Sequence, residues 1–182
     1  DFSVAGNVAA AHVARWDGTA WNTMGAGVQG SVYSLAVRGS DVYVGGTFTG
    51  AGSGLATNIA RWNGVAWIGL GSGLSANVWT LASMPGGDLF AGGDFTDAGG
   101  AGAWHVARWD GTAWQPMLTG LNGTVYSLTT DKSGNLYAGG DFTQAGIIAA
   151  GHVAEWNGKA WSQLGGGTNG RVTSFTWDTQ GN

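Results

Sequence analysis

Three histidines recur at one place in a repeated context: His12, His105 and His152, with Asn58 at the fourth. Histidines on a pseudo-symmetric frame are a metal-ligand pattern. Such positions lie far apart, however, unless they face a common axis. A loop hydrogen bond, which histidine and asparagine make equally well, is the expected role. No metal and no cofactor are therefore expected. Carboxylate chemistry is thin. Glu155 is the only glutamate, and no close carboxylate pair suits glycoside hydrolysis. No cysteine, no Ser-His-Asp signature and no phosphate-binding loop occur. The chain is expected not to be an enzyme.

Other side chains suit recognition or structure. Asp94 and Asp141 are expected to cap the loops that follow them through backbone amides. Arg15, Arg61 and Arg108, with Glu155 at the fourth place, precede a tryptophan. Stacking on an indole, or pairing with Asp94 or Asp141, would use them structurally. Asp131-Lys132-Ser133-Gly134-Asn135 and Asp178-Thr179-Gln180-Gly181-Asn182 look loosely like calcium loops, but short hairpin turns of that composition need no ion. The tryptophans that break the repeat are the ligand-binding candidates. Trp104, beside His105, stands where other units have Ala11, Thr57 and Gly151. Trp79 replaces Tyr33, Tyr126 and Thr173, and Trp177 replaces Val37, Ser83 and Thr130. An exposed indole with polar neighbours can stack on a sugar ring. Filling of gaps peculiar to one repeat is the competing role.

Composition narrows the frame that must position these residues. Of 182 residues 43% are hydrophobic and only 10% charged, a balance that folds. There are 36 glycines, far above the usual ~7%, beside 11 tryptophans. That combination suits an all-β chain with many tight turns and large core anchors. The net charge is −4 and the seven basic residues form no cluster, so no nucleic-acid partner is expected. No apolar run reaches the ~18 residues of a membrane helix, and no signal-like leader opens the sequence. The absence of cysteine excludes disulfides without fixing the compartment.

A repeat organises the chain. Trp16, Trp62, Trp109 and Trp156 step by 46, 47 and 47 residues. Trp21, Trp67, Trp114 and Trp161 follow each at plus five, with Asp-Gly or Asn-Gly between. That dipeptide predicts a two-residue type I′ hairpin with positive φ at both central positions. A second anchor, Gly-Gly-x-Phe-Thr, carries Phe48, Phe95 and Phe142. A third is the alternating run Val32–Val37, echoed at Val78–Ser83, Val125–Thr130 and Val172–Trp177. In the best-defined pass, strands are expected at Val125–Thr130, Leu136–Phe142, His152–Trp156 and Ala160–Leu164. No segment keeps a 3.6-residue period, so no helix is expected. Four strands per ~45 residues is the period of a propeller blade, whereas a β-solenoid repeats at about half that length. The fold class is thus all-β, a β-propeller of four-stranded antiparallel blades. The repeats run approximately 1–46, 47–93, 94–140 and 141–182, forming one domain or a segment of a larger propeller.

These residues resemble the kelch-type repeat, in which a strand ends in Gly-Gly and tryptophan follows an aromatic strand. Gly139-Gly140, Trp156 and Trp161 occupy those places. The spacing here is five rather than six, and tryptophan replaces the usual tyrosine. Tyr137-Ala138-Gly139-Gly140-Asp141-Phe142-Thr143, with Val153-Ala154-Glu155-Trp156-Asn157-Gly158 after it, is similar to a variant in large secreted bacterial repeat proteins. It is also similar to repeats of fungal cortical cell-polarity markers. The resemblance implies that the strand after each interblade link is innermost and that the Trp hairpin forms the outer half of a blade.

The expected function is a non-catalytic, extracellular or cell-surface module for binding or scaffolding. A glycan-binding propeller and a fragment of a larger propeller enzyme are the alternatives. The chain reads as four units cut within a blade, which suggests a window on a longer array. Expected partners are further blades or a second copy of the chain, and protein or carbohydrate.

Overall fold

The computed structural model describes residues 1–84 and 87–178. Among them every regular element is a β-strand. Three sheets follow one another, each built in sequence order from four antiparallel strands. The first holds Val28–Arg38, Asp41–Ala51, Ile59–Trp62 and Trp67–Gly69, with Gly54–Leu55 pairing as a fifth strand. The second holds Val78–Ser83, Leu89–Gly93, Val106–Trp109 and Trp114–Pro116. The third holds Val125–Thr130, Leu136–Gly140, Val153–Trp156 and Trp161–Gln163. A lone hairpin, Ala14–Trp16 with Trp21–Thr23, precedes them. Each sheet therefore draws its inner strands from one sequence unit and its Trp hairpin from the next. Short two-stranded ribbons, such as Gln144–Ala145 with Ile148–Ala149, occupy the loop between second and third strands.

Packing runs sheet to sheet through small residues. A Cβ on Gly45 or Gly92 would lie 2.5 or 2.6 Å from Cγ1 of Val78 or Val125 on the next inner strand. The neighbouring Gly46, Gly93 and Gly140 would each place a Cβ 2.0 Å from the carbonyl of Ser31, Asn77 or Thr124. Glycine is obligatory where backbone approaches this closely. Phe95 and Phe142 are fully buried beside these contacts, and Phe48 is nearly so.

The second tryptophan of the last three pairs ties its sheet to the link that precedes it. Trp67, Trp114 and Trp161 donate from Nε1 to the carbonyls of Met24, Leu70 and Met117, at 2.7, 3.2 and 3.3 Å. Those three are buried, as are Trp109 and Trp156, while Trp62 is partly buried. Trp16 and Trp21 depart from the core role expected of them, at 51% and 41% exposure. They pack on each other at 5.5 Å; among the described residues no four-stranded sheet precedes them, and the ribbon Val4–Ala5 with Val8–Ala9 meets Trp21 through Gly6.

Three further expectations are corrected. The Asp-Gly and Asn-Gly turns are not type I′. Trp109 pairs with Trp114 across a four-residue loop, and only its glycine has positive φ, 107° at Gly111. The aspartate acts through its side chain: Oδ1 of Asp110 accepts the amides of Thr112 and Ala113 at 2.8 and 2.9 Å. Asn63 and Asn157 do the same for their own turns. Secondly, 172–177 forms no strand. It lies along the third sheet through Val172 N to Gly140 O at 3.3 Å, but among the described residues it has no ladder partner. Thirdly, the arginines pair elsewhere. Arg61 bonds Asp41 at 3.3 Å and Arg108 bonds Asp88 at 2.9 Å, while Arg15 is exposed.

Removing a buried indole deletes a large contact area and a hydrogen bond, so Trp114→Ala should cost roughly 3–5 kcal/mol. Trp16→Ala should cost under ~1 kcal/mol. Urea unfolding of both variants checks the difference. The turn carboxylates set an acid response. Amide and side-chain hydrogen bonds, that from Ala113 foremost, hold Asp110 well below its ordinary value near 3.8. A depressed carboxylate contributes stability above its unfolded pKa and loses it as pH falls. Asp110→Asn keeps the acceptor without the titration. It should lose less of its urea midpoint than the parent between pH 5 and pH 2.

Candidate functional site

The innermost strands carry a line of aromatics aimed by bulges. The register skips Tyr33, Trp79 and Tyr126, each standing at an irregularity against the Gly-Gly strand. A bulge re-aims the extra residue out of the ladder. Tyr33 stacks on Trp79 at 4.6 Å with 22° between planes, and Trp79 meets Tyr126 at 6.3 Å. The guanidinium of Arg171 closes the line, 4.8 Å above Tyr126. Trp79 thus meets an aromatic in each neighbouring sheet. Its Nε1 donates to Asp94 at 3.0 Å.

A polar latch runs beside this line. Ser31 bonds Asp1, Thr47 bonds Asn77, Thr124 bonds Asp94 and Arg171 bonds Asp141, at 3.0, 2.5, 2.8 and 2.6 Å. Each pair is separated by 30 residues and lies within one sequence unit, and Thr47 with Asn77 and Asp94 with Thr124 tie one sheet to the start of the next. Asp94 and Asp141 therefore serve side chains rather than the amides of the loops after them. Those amides are taken by Ser75 Oγ and Asn122 Oδ1. Hydrogen bonding from Arg171 holds the Asp141 carboxyl below its ordinary range. Burial, and then the neighbouring Asp141, pushes the Tyr126 phenol up.

The four repeat positions headed by histidine share a conformation. His12, Asn58, His105 and His152 have φ between 63° and 65°, a left-handed region that asparagine and histidine enter more readily than most residues. Asn58 accepts from the amide of Phe48 and donates to the carbonyl of Leu74. Nδ1 of His105 and of His152 lies 3.2 and 3.3 Å from the carbonyls of Gly93 and Gly140. Among the described residues, no group of three or more potential metal ligands comes together. Asp131 closes its own turn by accepting the amides of Ser133 and Asn135. The second calcium-like stretch, 178–182, lies outside the described residues beyond Asp178.

The tryptophans singled out as ligand candidates are not brought together. Trp79 is enclosed as described. Trp177 leans edge-on against Tyr137 at 5.2 Å and donates to Thr129 Oγ1 at 2.8 Å. Trp104 is 54% exposed, with its ring 6.5 Å from that of His105. It lies on the seam where the second sheet passes to the third. Its carbonyl accepts from Leu121, and Gly120 in turn accepts from Gly146 at the ribbon tip of the third sheet.

Two residues of this seam were not singled out from sequence. Leu118 stands where the other links have Gly25, Gly71 and Gly165, and keeps their left-handed geometry at φ 57°. Ile147 stands where the other ribbons carry Asn7, Ser53 and Gly100. Leu118 and Ile147 are 59% and 90% exposed. The two preceding seams have only Ala11, Gly25 and Ser53, and then Thr57, Gly71 and Gly100. The third seam alone presents three large apolar side chains. The signal was in the alignment of the repeats: a leucine in a glycine column. Leucine at positive φ is strained by roughly 1–2 kcal/mol. Leu118→Gly should therefore not lower the thermal midpoint, although it removes apolar surface; calorimetry checks this.

No family model matches the chain, and no curated protein matches it. Among solved structures it is similar to "YCF48 bound to D1 peptide", with 15% identity and a TM-score of 0.48. The match covers 80% of this chain and 44% of that one, so the chain spans less than half the length of that structure. No helix among the described residues is long and apolar enough to cross a membrane.

Proposed function

We propose that the chain is a non-catalytic β-propeller module, or a segment of one, that binds a protein partner through the Trp104 seam. The observation carrying this is the concentration of Trp104, Leu118 and Ile147 on one seam whose counterparts are small or polar. Apolar side chains do not collect on an exposed surface without use, and an exposed tryptophan flanked by aliphatics is the composition of an interface centre. Leu118 strengthens the reading, because it keeps an unfavourable backbone geometry that glycine would relieve. The sheet-after-sheet packing through inner strands supports the propeller, and the repeat's likeness to kelch-type sequences supports it further. The extracellular or cell-surface location rests on that likeness alone.

A glycan-binding role is the second reading, favoured by the open indole of Trp104 beside His105. Leucine and isoleucine neighbours offer a sugar no hydrogen bonds, so the protein reading is preferred. A displayed peptide library and a glycan array, each probed with the parent chain and with Trp104→Ala, separate the two. Peptide binding that weakens at least tenfold in the variant is expected. Glycan binding with the same dependence would replace the protein reading by the second one, and ligands indifferent to Trp104→Ala would remove both.

A further inference from the structure

The repeats act as internal controls for one another, and one difference between seams has the shape of a ligand. At the end of the first inner strand, Arg38 reaches from the first sheet to two turns of the second. Its Nη2 lies 3.1 Å from where Gly87 would carry a Cβ and 3.7 Å from the same point on Gly111. One unit later the residue in Arg38's place is Met84, and the glycines are Gly134 and Gly158. A Cβ on either of these would meet nothing within 4 Å. In their place lies a cavity of about 240 Å³, bordered by Met84, Gly134, Gly158, the Trp156 indole and the Asp88–Arg108 ion pair.

We propose that this cavity takes the guanidinium group of an arginine side chain presented by a partner polypeptide. The argument is that the chain already shows the occupied form. In the preceding seam a guanidinium sits between two glycine turns in the presence of an equivalent carboxylate–arginine pair, Asp41 with Arg61. A second arginine is therefore compatible with Arg108, whose charge Asp88 balances at 2.9 Å. The indole wall suits a planar, weakly hydrated cation better than a compact ammonium. The volume falls below that of drug-sized pockets, about 300–1,000 Å³, and matches the scale of one side chain. The net charge of −4 favours a cationic visitor. The cavity uses none of Trp104, Leu118 and Ile147, so it stands apart from the seam residues assigned above.

The experiment is calorimetric titration with N-acetyl-arginine amide, N-acetyl-lysine amide, guanidinium ion and a short peptide with one central arginine. The parent should bind the arginine amide at one site, at least fivefold tighter than the lysine amide, with the peptide tighter still. Met84→Arg fills the cavity from within and should weaken binding at least tenfold. Arg38→Met should open the equivalent cavity and raise the stoichiometry from one to two, which keeps the test decisive should Met84→Arg not fold. The proposal is overturned by absence of saturable binding, by a stoichiometry still at one in Arg38→Met, or by unchanged affinity in Met84→Arg. Guanidinium ion binding as tightly as the peptide would also overturn it, in favour of a site for small cations.

Discussion

The Gly-Gly pair in the second strand of each sheet is the constraint on which the rest depends. Its first glycine admits the valine of the next inner strand, and its second admits a carbonyl of its own partner strand. With a methyl group at either place the backbone would have to move apart. The buried phenylalanine two residues on, the aromatic line and the polar latch would then lose their spacing together. One sheet buries only part of its apolar surface alone, so such close approach is what turns separate hairpins into a shared core.

On that base, the ties between successive sheets repeat in kind but not in identity. The latch is serine to aspartate, threonine to asparagine, threonine to aspartate and arginine to aspartate in turn. Ser34 and Thr80 each accept the amide of a leucine in the next inner strand, at 2.9 and 3.0 Å. Geometry is conserved from unit to unit while the chemistry drifts, as expected where only the distance between backbones is fixed. The drift makes individual seams distinguishable, and a site restricted to one seam needs that asymmetry.

Much of the architecture was legible in the sequence because its determinants are local. Alternation placed Val78–Ser83 and Val125–Thr130 at their observed limits, and the Trp-x-x-x-x-Trp hairpins fell where the repeat put them. What was not legible depended on partners distant in sequence. Nothing local says that 172–177 has no pairing strand among the described residues, or that Trp16 and Trp21 lie half exposed. The turn geometry was misjudged for a different reason: a side-chain acceptor on aspartate or asparagine competes with the mirror-image turn, and dipeptide identity alone does not separate the two. Of the candidate site, Trp104 was visible as a break in the repeat. Leu118 was hidden because a leucine attracts notice only once its column is known to need a left-handed backbone.

The side-chain-capped hairpin turns bear on how the molecule ages. Asn63-Gly64 and Asn157-Gly158 are dipeptides in which the asparagine amide is readily lost to hydrolysis. In most settings the new carboxylate would disturb its surroundings. Here two turns already carry aspartate, Asp17 and Asp110, whose Oδ1 accepts the same two amides that asparagine accepts elsewhere. Opening of the succinimide to aspartate would add charge while keeping the side-chain acceptor that closes each hairpin, whereas opening to isoaspartate would insert a backbone methylene and break that closure, so the two products of the same chemical wear would have opposite consequences for the repeat.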